Sequence, residues 1–219
     1  MALIDLSHTI EHGMITYKGL PAPLICDYLS REASRQLYAE GTEFHIGRID
    51  LVANTGTYLD SPFHRYAEGK DLSELPLDAL AGLEGVVVRS DAMAITRDAF
   101  AGLDLRGKAV LVQTKWDRHW RTDDYFEGNP FLTEEAAFHL KEAGVKLDDT
   151  RGKSCPVHST LLGAEIPIVE HMTGLDPLPE SGFRFFAVPP KIKGFGTFPV
   201  RAFAMVGSPR EIQSQNVAG

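Results

Sequence analysis

Asn54-Thr55-Gly56-Thr57-Tyr58-Leu59-Asp60-Ser61-Pro62-Phe63-His64 packs a glycine, a proline, an acid and a histidine into one short stretch behind an apolar run. Gly56 permits a tight backbone turn and Pro62 stiffens the exit, so Asp60 and His64 are expected to project from a rigid loop into a common space. Carboxylate oxygen and imidazole nitrogen are ordinary ligands of a divalent metal and ordinary acid-base groups. The same pattern also fits a turn capped by Asp60 with His64 half-buried at the surface, and spacing alone does not choose between the two.

A second dense cluster follows about a hundred residues on, from Pro156 through His158, Gly163 and Glu165 to Glu170 and His171. Proline is tolerated in the first turn of a helix, which puts His158 near a helix start. Glu170 is expected at the end of a short apolar strand, so that the turn at Gly163 to Glu165 can bring His158 and Glu170 to one edge. An acid ending an apolar strand needs a partner, either a metal cation or a lysine or arginine. His171, next on the strand, is expected to point the opposite way from Glu170. His8, His12 and His139 have no specific partner in the sequence, and His45 reads as a sheet histidine.

Around these clusters strands and helices alternate loosely. Strands are expected at Leu3 to Leu6, Phe44 to Ala53, Gly85 to Arg89, Ala109 to Thr114, Phe183 to Val188 and Val200 to Val206. One helix is capped by Thr133, has acids in its first turn and ends at Gly144; a shorter one runs from Pro156 towards Gly163. The stretch from Trp116 to Pro130 mixes aromatics, acids, glycine and proline without periodicity, as in a surface loop bordering a pocket.

With 219 residues, 43% of them hydrophobic, the chain is expected to form one domain over 1–219 with a sizeable core. No repeat or low-complexity tract marks a boundary. A formal charge of −8 disfavours nucleic acid as a partner. No window approaches the roughly 20 apolar residues of a membrane helix, and the first residues do not read as a signal peptide, so a cytoplasmic location is expected. Cys26 and Cys155 are too few for a disulfide framework and read as free thiols. Cys155 near His158 also allows a Cys-His nucleophile, although a small packed cysteine at a helix start fits as well.

The two clusters together resemble the cyclase family that includes bacterial kynurenine formamidase, marked by H-x-G-T-H-x-D-x-P-x-H and, further on, a histidine followed twelve residues later by a glutamate. His158 and Glu170 have that spacing. The resemblance extends over Asp5-Leu6-Ser7, Met14 to Gly19, Val110 to Thr114 with Trp116-Asp117, the helix at Thr133, and Gly196 to Ala202. It implies an α/β protein of the swivelling β/β/α type, a mixed sheet curled around a core with flanking helices, commonly a homodimer.

Residue by residue, the resemblance makes Asp60, His158 and Glu170 metal ligands and His64 the catalytic histidine. The motif's first two histidines hold the other ion in two-zinc members; here they are Asn54 and Tyr58, which offer at most a weak metal or substrate contact. One divalent ion, zinc or manganese, is therefore expected rather than two, with a metal-free site as the alternative. Tyr17 stands where the family sets an aromatic against its substrate, and Trp116 is a second candidate for the pocket wall. The implied activity is hydrolysis of a small amide or ester, an aryl formamide like N-formylkynurenine first. A lactone hydrolase or a cyclase acting on another ring compound is the enzyme alternative, and a metal-free small-molecule-binding protein the alternative outside enzymes. The segment Asp148 to Ser154 is shorter than the family's usual strand and loop.

Overall fold

The computed structural model of the chain describes residues 1–148 and 156–207. The short segment after Asp148, with Cys155, lies outside them.

The strands are β1 (Ala2–Asp5), β2 (Leu24–Leu29), β3 (Ile46–Asp50), β4 (Tyr58–Asp60), β5 (Ala81–Arg89), β6 (Ala94–Ile95), β7 (Ala109–Gln113), β8 (Phe131–Leu132), β9 (Leu147–Asp148), β10 (Ile168–Glu170), β11 (Phe183–Phe186), β12 (Thr197–Pro199) and β13 (Phe203–Val206). The α-helices are α1 (Arg31–Ser34), α2 (Glu134–Ala143) and α3 (Pro156–Leu162). Nine strands form one mixed sheet in the order β1-β13-β11-β5-β7-β9-β10-β4-β12.

The centre of that sheet follows from its sequence. Val86-Val87-Val88 and Val110-Leu111-Val112 are continuous apolar runs, as parallel strands covered on both faces require, and β5 pairs β7 in parallel. Alternation then divides them between two cores. Val87 and Leu111 join Leu6, Leu59, Phe183 and Phe185 on one face. Val86, Val88, Val110 and Val112 pack with Leu140 of α2 and Leu161 of α3 on the other. Helix α2 begins and ends as its residues dictate: the Thr133 side chain accepts from the Ala136 N–H, and Gly144 closes the helix at φ 75°. No helix among the described residues is long and apolar enough to cross a membrane.

The strand expected over Phe44 to Ala53 is shorter, Ile46–Asp50, and stands outside the nine-stranded sheet. Among the described residues β3 pairs only with β2, in an exposed two-stranded ribbon. The reason is spacing: Ile46 and Ile49 are three apart, so they fall on opposite strand faces and neither face is apolar enough to bury. The strand that matters is inside the motif. β4 is wholly buried and pairs antiparallel with both β10 and β12, so Asp60 belongs to the sheet rather than to a loop.

Candidate active site

Pairing puts the site together. In the β4/β10 register Glu170 lies opposite Tyr58 and Ile168 opposite Asp60; on the other side Thr197 of β12 lies opposite Asp60. Gly56, at φ 66°, turns the chain into β4, and its N–H donates to Thr16 Oγ1 at 2.9 Å. The Thr57 hydroxyl donates to the carbonyl of His171 at 2.6 Å and ties β4 to the end of β10. Beyond Asp60 the chain bends into a 3-10 turn, Pro62–His64, which returns His64 to the same side.

Asp60, His158 and Glu170 converge, with one ligand atom from each within 4.8 Å of the others. His158 Nε2 is 3.3 Å from Glu170 Oε1 and 3.7 Å from Asp60 Oδ2. Asp60 is fully buried, and among the described residues its Oδ2 has no hydrogen-bond partner. A buried carboxylate oxygen without a donor is costly unless a cation completes it. Two carboxylates and one imidazole around that oxygen are a donor set suited to a divalent ion such as zinc or manganese with positions left open.

Burial works against charge on all three groups, and their mutual contacts decide the outcome. Burial lowers the His158 pKa, but its close contacts with Asp60 and Glu170 and their charges outweigh it and hold it up at about 10. Burial raises Glu170, yet His158, the charge of His171 and the Tyr58 hydroxyl take it down to about 2. Asp60 is raised by burial and by the neighbouring Glu170 charge, with His158 pulling the other way. The contrast has a structural cause: His158 Nε2 lies nearer Glu170 than Asp60, 3.3 against 3.7 Å, and the Glu170 charge in turn raises its neighbour Asp60.

His64 is oriented through Thr197. The Thr197 hydroxyl donates to Asp60 Oδ1, and Thr197 Oγ1 is 2.7 Å from His64 Nδ1. With its one hydrogen committed to an acceptor-only carboxylate, the threonine oxygen accepts from His64 Nδ1–H, which leaves Nε2 with its lone pair. Thr197 escaped the reading of single residues because its partner lies far away in sequence and only β12 pairing joins them. Close approach at the neighbouring Gly196 makes this possible: its carbonyl accepts from the Ser61 N–H at 2.7 Å, and a Cβ there would come within 2.5 Å of the His64 backbone nitrogen. Gly196→Ala is expected to push the His64 turn off β12 at an overpacking cost of about 1–3 kcal/mol. Thermal denaturation should register the loss together with reduced activity, and an unchanged melting temperature would refute it.

A cavity of about 490 Å³ opens on this cluster, lined among others by Tyr17, Asn54, Tyr58, His64, His158 and Glu170. Tyr125, Phe126 and Asn129 also line it, so the stretch from Trp116 to Pro130 does border the pocket. That stretch is not featureless, since it folds into 3-10 turns at Trp116–His119 and Asp123–Phe126. Trp116 departs from its expected role: it faces a separate small cavity, because its indole N–H is tied to the Tyr125 carbonyl at 3.2 Å. Tyr58 lines the cavity with its hydroxyl turned to a neighbouring acid. Its hydroxyl donates to Glu170 Oε2, and burial with the Glu170 charge pushes the phenol well above its ordinary pKa. His171 also departs from expectation. It leaves the strand at φ 59°, in the left-handed region, so strand alternation stops at Glu170 and its ring lines the same cavity.

The wider comparison agrees with this geometry. The sequence profile of a family described as putative cyclase matches residues 4–148, well over half of the chain. The chain belongs to the putative cyclase family. Among its relatives in the cyclase family, the kynurenine formamidase of Geobacillus thermodenitrificans is 30% identical over 208 residues, 91% of this chain and 95% of the relative. That of Salinibacter ruber is 27% identical over 212 residues, 92% and 96% of the two chains. Among solved structures, a potential metal-dependent hydrolase with cyclase activity superposes at a TM-score of 0.76 and 25% identity, over 95% of this chain and 99% of its own. An isatin hydrolase bound to the product analogue thioisatinate shares the fold at a TM-score of 0.78 and 20% identity, over 94% and 92%. The expected mixed α/β cyclase fold and hydrolase class therefore hold.

Proposed function

We propose that this chain is a metal-dependent hydrolase of small aryl amides, with an aryl formamide of the N-formylkynurenine kind first among its substrates. The observation that carries the reading is the buried Asp60 Oδ2, left without a donor beside His158 and Glu170. Asp60, His158 and Glu170 would hold one divalent ion, zinc or manganese. Bound there, such an ion supplies Lewis acidity towards a carbonyl oxygen and towards water.

The protein's own residues do the rest. His64 Nε2 takes a proton from the attacking water and returns it to the leaving nitrogen, while Thr197 and Asp60 keep the ring in the tautomer that allows this. The sum is R–NH–CHO plus water giving R–NH2 plus formic acid, which ionises to formate and a proton. Tyr17, Tyr125 and Phe126 offer aromatic surface to an aryl ring, and the cavity lies within the range of ligand sites of about 300–1,000 Å³. The names of the 30% and 27% identical relatives favour a formamide over a lactone or a cyclic amide.

Elemental analysis after incubation with zinc and with manganese, followed by assays on N-formylkynurenine, formanilide, an aryl ester and a lactone, tests the reading. About one ion per chain is expected, with the formamides hydrolysed fastest. His64→Ala should keep the ion and lose about 10²-fold in kcat. A metal-free protein whose His64→Ala variant stays fully active would overturn the proposal.

A further inference from the structure

The side of Glu170 away from His158 meets hydroxyls. Tyr58 donates to Oε2, and the Tyr17 hydroxyl lies 3.1 Å from the same oxygen and 2.7 Å from Tyr58 Oη. Behind Tyr17 the contacts continue: His171 Nε2 is 2.8 Å from Tyr17 Oη, and the Tyr125 hydroxyl is 2.7 Å from His171 Nδ1. Trp120 and Tyr125 pack against the His171 ring at centroid distances of 5.8 Å each. His171 sits in the left-handed backbone region, at φ 59°, which residues other than glycine adopt at a cost. Several segments of the chain thus converge to fix the position of one phenol.

We propose that Tyr17 is a catalytic residue, donating a hydrogen bond to the carbonyl oxygen of a planar amide or ester as negative charge builds on it. The idea rests on the hydrolase reading above. The phenol would supply, without a second cation, the electrophilic help for which Asn54 and Tyr58 provide no imidazole. Tyr58 is unsuited to the task, being buried and committed to Glu170. Tyr17 is half-buried and lines the cavity; its one hydrogen points to Tyr58 Oη at 2.7 Å or Glu170 Oε2 at 3.1 Å and turns to an incoming oxygen in exchange for that bond. With His171 Nε2–H donating to Tyr17 Oη, the phenol oxygen already accepts one hydrogen bond and its O–H is polarised as a donor. A donor fixed in advance and aimed at developing charge is worth about 10²–10³ in kcat.

The test is Tyr17→Phe in the zinc-loaded protein, read in three ways. The expected result is a fall of about 10²-fold or more in kcat with KM and zinc content little changed. Calorimetry should show weaker binding of phenylphosphonate, a tetrahedral anion, by about tenfold, a loss of about 1.4 kcal/mol, and unchanged binding of planar benzamide. Equal weakening of both probes with loss of zinc would assign Tyr17 a structural role and overturn the proposal. Wild-type kcat and phosphonate affinity in the variant would overturn it while leaving the hydrolase reading intact. A wild-type protein that hydrolyses no formamide, ester or lactone overturns both.

Discussion

Asp60→Asn is expected to abolish binding of the proposed ion and to cut hydrolysis by about three orders of magnitude, while leaving the chain folded. The substitution preserves shape. Asn Oδ1 still accepts from the Thr197 hydroxyl, so His64 stays oriented, but an amide NH2 replaces the Oδ2 that had no donor and turns a ligand into a group that repels a cation. Loss of an ion contributing several kcal/mol of transition-state stabilisation corresponds to about 10³ in rate, at 1.36 kcal/mol per tenfold. Elemental analysis alongside kcat/KM and far-ultraviolet circular dichroism would check it. An Asn variant that kept both ion and activity would remove Asp60 from the metal site and with it the main support for the hydrolase reading.

How much of this was legible in the sequence depended on whether a residue's partner was local. The parallel strands β5 and β7 announced themselves, because burial on both faces demands unbroken apolar runs, and α2 carried its own start and stop at Thr133 and Gly144. Asp60 and His64 share one stretch, as do His158 and Glu170, and the structure brings His64, His158 and Glu170 to one cavity with Asp60 buried against His158 and Glu170. What stayed hidden was whatever tertiary pairing decides. Phe44 to Ala53 looked like the strand feeding the motif, whereas Tyr58 to Asp60 became the strand because β10 and β12 flank it. Thr197 acquires its role only through β12, and Trp116 gives way to Tyr125 because the indole is spent on the backbone of that loop. His171 was misjudged by strand alternation, a rule that lapses at the positive φ where β10 ends.

The second large effect concerns pH. In the ion-free protein Asp60 and Glu170 hold the His158 proton up to a pKa of about 10, against 6.5 for an ordinary histidine. A metal ligand must be the neutral imidazole, so loading the site releases that proton. Zinc affinity is therefore expected to rise about tenfold per pH unit, or about a thousandfold from about pH 6.5 to about pH 9.5, with roughly one proton released per ion bound. Glu170, held down at about 2, stays ionised throughout and contributes no slope. Stability without the ion runs the other way. The His158 charge stabilises the fold fully below about 6.5, and that contribution is lost as pH rises towards 10; the Glu170 contribution is present above about 4.5 and lost only as pH falls towards 2. Competition titrations with a metal-buffering chelator, paired with thermal melts in excess chelator, measure both trends. An affinity that levelled off above about pH 7 would mean that His158 titrates as an ordinary histidine and that the two carboxylates do not hold its proton.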